Sequence, residues 1–140
     1  VMSIMITKYD VMNMLVEACP SFKNKWSLYV SGPDYDEDLL FISIGEFAQH
    51  IISLRKNNET HEFQEVSQLV ENFILNGHSY VKEATITGLL EGVQNVSYDH
   101  FDPEKFVPFL LPETKKWWQK LNDFWDGKGS LANDIEGLNS

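Results

Sequence analysis

A single cysteine in 140 residues leaves Cys19 without a partner for an internal disulfide and excludes a cysteine-based zinc site. It sits among apolar residues near a helix end, where it reads as a small buried hydrophobe. Basic residues are scarce too. Eleven Lys and Arg stand against 21 Asp and Glu, a formal charge of −10, and the imbalance is even along the chain: 5 basic and 10 acidic residues up to Val70, 6 and 11 beyond it. Such a chain is repelled by nucleic acid and by anionic membrane, so neither is expected as a direct ligand, whereas a basic protein partner is attracted. No apolar run approaches the ~18 residues that span a bilayer. The opening "VMSIMI" is too short for a secretory segment and has no basic leader, so a cytoplasmic location is expected.

Patterns that carry chemistry are missing as well. His50, His61, His78 and His100 show neither HxxxH nor HExxH spacing, and His61 with Glu65 reads as a surface pair on one helix face. The acidic run "DYDED" at 34–38 invites comparison with a calcium loop. Counted from Asp34, however, the sixth residue is Leu39 instead of Gly and the twelfth is Gly45 instead of Glu. No serine lies in a G-x-S-x-G context, and no charge near Cys19 would activate it. No catalytic residue, cofactor or metal is therefore expected.

What the chain does have is helix after helix. Hydrophobic residues make up 43% and aromatics 13%, enough at this length for one domain with a substantial core. "TKYDVMNMLVEAC" starts with Thr7 and Asp10 at capping-box spacing and is ended by Pro20. Residues 20–38 are the least regular, with a turn at Gly32-Pro33 and either a short helix or an extended piece near "KWSLYV". A long helix is predicted from about Leu39 to Arg55 on the stripe Leu40, Ile44, Phe47, Ile51 and Leu54. Another runs from about Thr60 to Asn76, stopped by Gly77. A fourth is capped by Ser79. Asp102-Pro103-Glu104 starts a fifth, which Pro108 keeps short, and Pro112 opens a sixth that ends near Gly127. The expected fold is all-α: a single domain of about six helices over residues 1–127, antiparallel hairpins in an irregular bundle or short stack, followed by a polar tail over 128–140.

Two stretches stand out. In "ITGLLEGVQN", residues 86–95, two glycines flank a glutamate within a helix, although glycine there costs about 1 kcal/mol relative to alanine. At 100° per residue Ile86, Leu89, Leu90, Val93 and Val96 form one apolar face. Val81, Thr85, Gly88 and Gly92 form a second stripe beside it. A helix packed on two sides is implied, its glycines admitting a neighbouring backbone and its exposed strip consisting of Glu83, Thr87, Glu91 and Gln94. A phosphate loop is excluded, since no strand precedes the glycines and no lysine follows them. In "KKWWQKLNDFW", Trp117, Trp118, Leu121, Phe124 and Trp125 fall on one face, a core helix by default and a partner groove if exposed.

The runs "ATITGLLEGVQN", "DPEKFVPFLLPET" and "WWQKLNDFW", with "ACPSF" near the N-terminus and "IGEFAQHIISL" between, resemble a family of small bacterial all-α proteins of unknown function. The likeness spans most of the chain and brings no catalytic residues with it. In size and acidity the chain is also similar in type to immunity proteins encoded beside toxins of contact-dependent growth inhibition systems.

Together these features lead to the expectation of an immunity-type binding protein, not an enzyme, that neutralises a basic toxin domain, plausibly a nuclease, through an acidic surface. The expected contact residues are Asp34, Asp36, Glu37 and Asp38, followed by Glu83, Glu91, Asp99 and Asp102. The competing expectation is a regulatory or scaffold module that binds a helical peptide through the Trp-rich C-terminal helix.

Overall fold

The computed structural model describes residues 5–95 and 101–127. Seven α-helices account for most of them. They are α1 (Val11–Ala18), α2 (Lys23–Val30), α3 (Leu40–Lys56), α4 (Phe63–Asn76), α5 (Ser79–Glu83), α6 (Glu91–Gln94) and α7 (Pro112–Trp125). A 3-10 turn (Pro20–Phe22) joins α1 to α2, a π-helix (Ala84–Leu90) joins α5 to α6, and a second 3-10 helix (Pro103–Phe109) precedes α7. No strand forms among the described residues. There is only an isolated bridge between Ile6 and Gly77, which pins the segment just before α1 to the corner between α4 and α5. The all-α single domain is as expected; α2 is the helix that periodicity left undecided.

One core gathers the predicted stripes. Leu40, Ile44, Phe47, Ile51 and Leu54 of α3 are buried, as are Phe63, Val66, Val70, Phe73 and Ile74 of α4. Because α3 and α4 reverse direction, and α4 and α5 reverse again, the α5–π–α6 rod runs parallel to α3. Tyr80 meets Phe41, Gly88 meets Ile44 and Gly92 meets Ala48. This rod is the central element. Val81, Ala84, Thr85, Ile86, Leu89, Leu90 and Val93 are all buried.

The two glycines of "ITGLLEGVQN" are not equivalent. A Cβ on Gly88 would lie 2.6 Å from Ile44 Cγ2, a stiff β-branched atom in the core, whereas one on Gly92 would make an ordinary 3.6 Å contact with Ala48. Close helix approach is thus a property of Gly88. The middle of the rod is also wound differently from the 3.6-residue helix assumed from sequence. Glu91 N–H bonds Ile86 O, five residues back, while the hydroxyls of Thr85 and Thr87 occupy the carbonyls of Val81 and Glu83, four residues back, at 2.8 and 2.7 Å. Threonine hydroxyls in those positions compete for the carbonyls an α-helical N–H would use, which favours the wider turn.

Capping is partly done across the chain. Glu71 of α4 accepts Glu113 N at 3.0 Å, Thr114 N at 2.8 Å and Thr114 Oγ1 at 2.7 Å, so a side chain some forty residues upstream satisfies the first N–H groups of α7. Burial opposes the Glu71 charge, but these bonds outweigh it and hold its carboxyl below the ordinary value. Glu104 then clamps the other side of α7, accepting Trp118 Nε1 at 2.9 Å and Asn122 Nδ2 at 3.0 Å. The expected Ser79 cap is not made: His78 is the N-cap and Ser79 is already helical. Gly77 does end α4, at an ordinary φ of −80°. A Cβ there would come within 2.5 Å of Phe73 O and 2.7 Å of Val81 Cγ1.

Candidate partner-binding surface

The loop between α2 and α3 gathers the leading acidic residues. Asp34, Asp36, Glu37 and Asp38 are all exposed and lie just ahead of the α3 N-terminus, where negative charge is favoured by the helix dipole. The loop is anchored. Asp36 Oδ1 accepts Asp38 N at 2.9 Å, and Asp38 Oδ1 accepts Tyr9 OH at 2.9 Å and pairs with Lys8 Nζ at 3.3 Å. The Tyr9 hydroxyl and the Lys8 ammonium hold the Asp38 carboxyl below the usual range, and Asp38 raises Lys8 in return. Asp38 therefore fastens the loop, whereas Asp34 and Glu37 make no hydrogen bond or ion pair among the described residues.

Beside these carboxylates sits an aromatic group that sequence reasoning did not assemble. Trp26 stacks on Tyr29 with centroids 5.8 Å apart, and Tyr35 packs edge-on against both, at 5.5 Å from Trp26 and 6.1 Å from Tyr29. All three are half-buried, and Trp26 leans on the buried Phe22 at 6.0 Å. Trp26 and Tyr29 are one helical turn apart, and the Gly32-Pro33 turn folds Tyr35 back onto them. Spacing of three plus a turn was the available signal, but it was obscured because α2 buries no residue and so has no apolar stripe. In the same stretch of chain, Leu28 (75%), Leu39 (44%) and Ile42 (52%) are large apolar side chains left in solvent. Carboxylates beside half-exposed Trp and Tyr are the composition of an interface core with a charged rim.

The second-choice acids are placed differently. Glu83 and Glu91 are half-buried on the central rod; burial raises the Glu91 carboxyl above its ordinary value, so the strip expected to be exposed is not. Gln94 of that strip is turned inward and donates to Trp118 O at 3.2 Å. Asp102 is exposed but is used as the N-cap of the second 3-10 helix, accepting Glu104 N at 3.0 Å. That helix meets the far end of α3, where Arg55 Nε donates to Lys105 O at 3.3 Å, and the 17 residues of α3 make it about 25 Å long. Asp102 therefore belongs to a different part of the surface from the 34–38 loop. Asp99 and the tail over 128–140 lie outside the described residues.

A partly buried polar cluster, of exposed Ser21 with buried Cys19, His50 and Glu62, was also missed, since its members are up to 43 residues apart. Ser21 Oγ is 2.9 Å from His50 Nε2, Ser21 N donates to Glu62 Oε2 at 3.0 Å, and Cys19 Sγ lies 3.8 Å from Glu62 Oε1. Burial, then the positive Lys25, lowers His50 and keeps its ring neutral at pH 7; burial pushes the Cys19 thiol up to about 11. A serine nucleophile needs its histidine oriented through the second ring nitrogen, but His50 Nδ1 is buried without a partner and Glu62 is engaged by Ser21 N–H. What this geometry does is tie the Pro20–Phe22 turn to α3 and α4. The apolar cavity among Ile51, Phe63, Val70, Leu90, Phe106 and Trp118 holds about 40 Å³, too little for an organic ligand. Among the described residues no group of three or more His, Cys, Asp or Glu is placed to hold a metal, and no helix is long and apolar enough to cross a membrane.

A family model described as "Domain of unknown function (DUF7674)" matches residues 12–126. No curated protein and no solved structure matches.

Proposed function

The chain belongs to this family, whose function is not defined, and we propose that it is an immunity-type binding protein that neutralises a basic toxin domain, a nuclease being the best-suited target. The observation that carries the reading is the adjacency of the Asp34–Asp38 carboxylates to the half-exposed Trp26, Tyr29 and Tyr35 on a chain of charge −10. Carboxylates on the rim accelerate encounter with a basic surface, and aromatic side chains that become fully desolvated slow release. An acidic loop seated where a nuclease holds a phosphate backbone occludes that site. The roles of individual residues follow from their placement: Asp34, Asp36 and Glu37 face the partner, and Asp38 keeps the loop in shape.

A second reading, a module that binds a helical peptide, rests on the last turn of α7. There Phe124 and Trp125 stay exposed and pack edge to face at 5.3 Å, whereas Trp117, Trp118 and Leu121 are buried.

The test begins with the neighbouring open reading frame. The proposal expects a basic, toxin-like domain whose toxicity in a host cell is relieved by co-expressing this chain. The triple variant Asp34→Lys, Asp36→Lys, Glu37→Lys should lose that protection. Toxicity unaffected by the wild-type chain, or protection retained by the variant, contradicts the proposal.

A further inference from the structure

Within this surface, a groove of about 230 Å³ opens between the start of α1, α2, the acidic loop and α3. Its lining is mixed, more polar than apolar, with apolar contributions from the buried Met12 and Leu40 and from the exposed Val30. Trp26, Tyr9 and Tyr35 stand in its walls, and Glu37 and Asn13 line it as polar groups. Ser43 also lines it. It lies on the core side of α3 between Leu40 and Phe47 and is only 3% exposed, yet its hydroxyl makes no hydrogen bond among the described residues. Its hydroxyl reaches the groove surface, where it offers a donor and an acceptor to an occupant.

An occupant that suits this mixed lining combines an apolar stem with a cationic, hydrogen-bond-donating tip. Long basic side chains have this form, since their methylene stems lie on apolar surface while the head stays polar. Of the two, arginine matches better. Its planar guanidinium packs against aromatic walls and offers five donors, whereas the groove presents acceptors, the Glu37 carboxylate and the Ser43 hydroxyl. Lys8 also lines the groove, but its charge is matched by Asp38 at 3.3 Å, which leaves the Glu37 carboxylate to an incoming cation. We propose that this groove is the seat of an arginine side chain from a protein partner, its stem on Met12, Val30 and Leu40 and its guanidinium held by Glu37 and Ser43. The proposal rests on the reading of this face as a basic-partner surface and names the contact at its centre.

The test is an NMR titration of the full chain with the peptide acetyl-Gly-Arg-Gly-amide, and with the same peptide carrying citrulline, which has the same shape without the charge. The arginine peptide should saturate, shifting the Trp26 indole N–H and the Ser43 amide, and bind at least tenfold tighter than the citrulline peptide. Glu37→Gln, an exposed and conservative change that does not disturb folding, should weaken it at least fivefold, and Ser43→Ala should weaken it with the spectrum otherwise intact. Equal binding of the two peptides, or shifts that avoid Trp26 and Ser43, overturns the arginine seat. A decalysine peptide separates this from the broader reading. If decalysine binds in a salt-dependent way that the triple charge reversal abolishes while the arginine peptide ignores the groove, the seat is wrong and the acidic surface stands. If neither peptide binds, both are wrong.

Discussion

Helices α2 and α7 are both aromatic, and the molecule uses them in opposite ways. α7 buries Trp117, Trp118 and Leu121, and its first turn is capped from α4 by Glu71. α2 buries nothing, and its Trp26 and Tyr29 stay half-exposed beside four carboxylates. Two of the three conspicuous tryptophans, Trp117 and Trp118, therefore support the fold, and the less conspicuous Trp26 stands at the surface proposed to bind. Eye-catching composition alone does not locate a site; what matters is which aromatic side chains the core leaves over.

The contrast is broken most severely by truncation. Trp118→Ala should cost about 3–5 kcal/mol in urea denaturation, because it empties a core position and releases Glu104. Trp26→Ala should cost less, about 1–2 kcal/mol, since it gives up packing against Phe22, Tyr29 and Tyr35 but empties no fully buried position, and should instead impair partner binding. A Trp26 variant as unstable as the Trp118 variant would mean that α2 belongs to the core.

The central rod sharpens the same distinction on a smaller scale. Gly88→Ala forces a Cβ against Ile44 and should destabilise by about 1–3 kcal/mol. Gly92→Ala meets only ordinary contact and should be neutral or stabilising by up to about 1 kcal/mol. Thermal melts of the two variants decide it, and equal losses would contradict the packing described.

Next comes the cap on α7. Glu71→Gln should cost about 1–2 kcal/mol at neutral pH. Because the folded carboxyl is held below its ordinary 4.5, the stability it supplies is present above about pH 4.5 and lost as pH falls through the lower folded value. The variant should therefore show a flatter acid limb. The smallest effect is expected at Glu91, whose raised carboxyl has the opposite sign: the proton is favoured in the fold, and its contribution fades as pH rises past 4.5. Glu91→Gln should give a slight gain in melting temperature at pH 7 and none at pH 3.

The helices were legible wherever they carry a stripe. α3 was expected from Leu39 to Arg55 and spans Leu40–Lys56, and α4 was expected to Asn76 and ends there. What could not be read has physical reasons. α2 has no buried face and hence no periodicity. The π-helix departs from the 3.6-residue repeat on which the exposed strip of Glu91 was drawn. Asp102-Pro103-Glu104 did signal a helix start, but Pro108 sits inside it and the segment is 3-10. At the candidate surface the acidic loop was plain in "DYDED", while the aromatic group depended on α2 forming and on a turn folding Tyr35 back.

The most direct measurement is association and dissociation kinetics with the basic toxin domain proposed as its partner, as a function of salt. Reversing the charges at Asp34, Asp36 and Glu37 should slow association and remove its salt dependence, while Trp26→Ala should leave association alone and speed dissociation. Unchanged rates in both variants, together with faster dissociation in Trp125→Ala, would contradict this and move the binding surface to the end of α7.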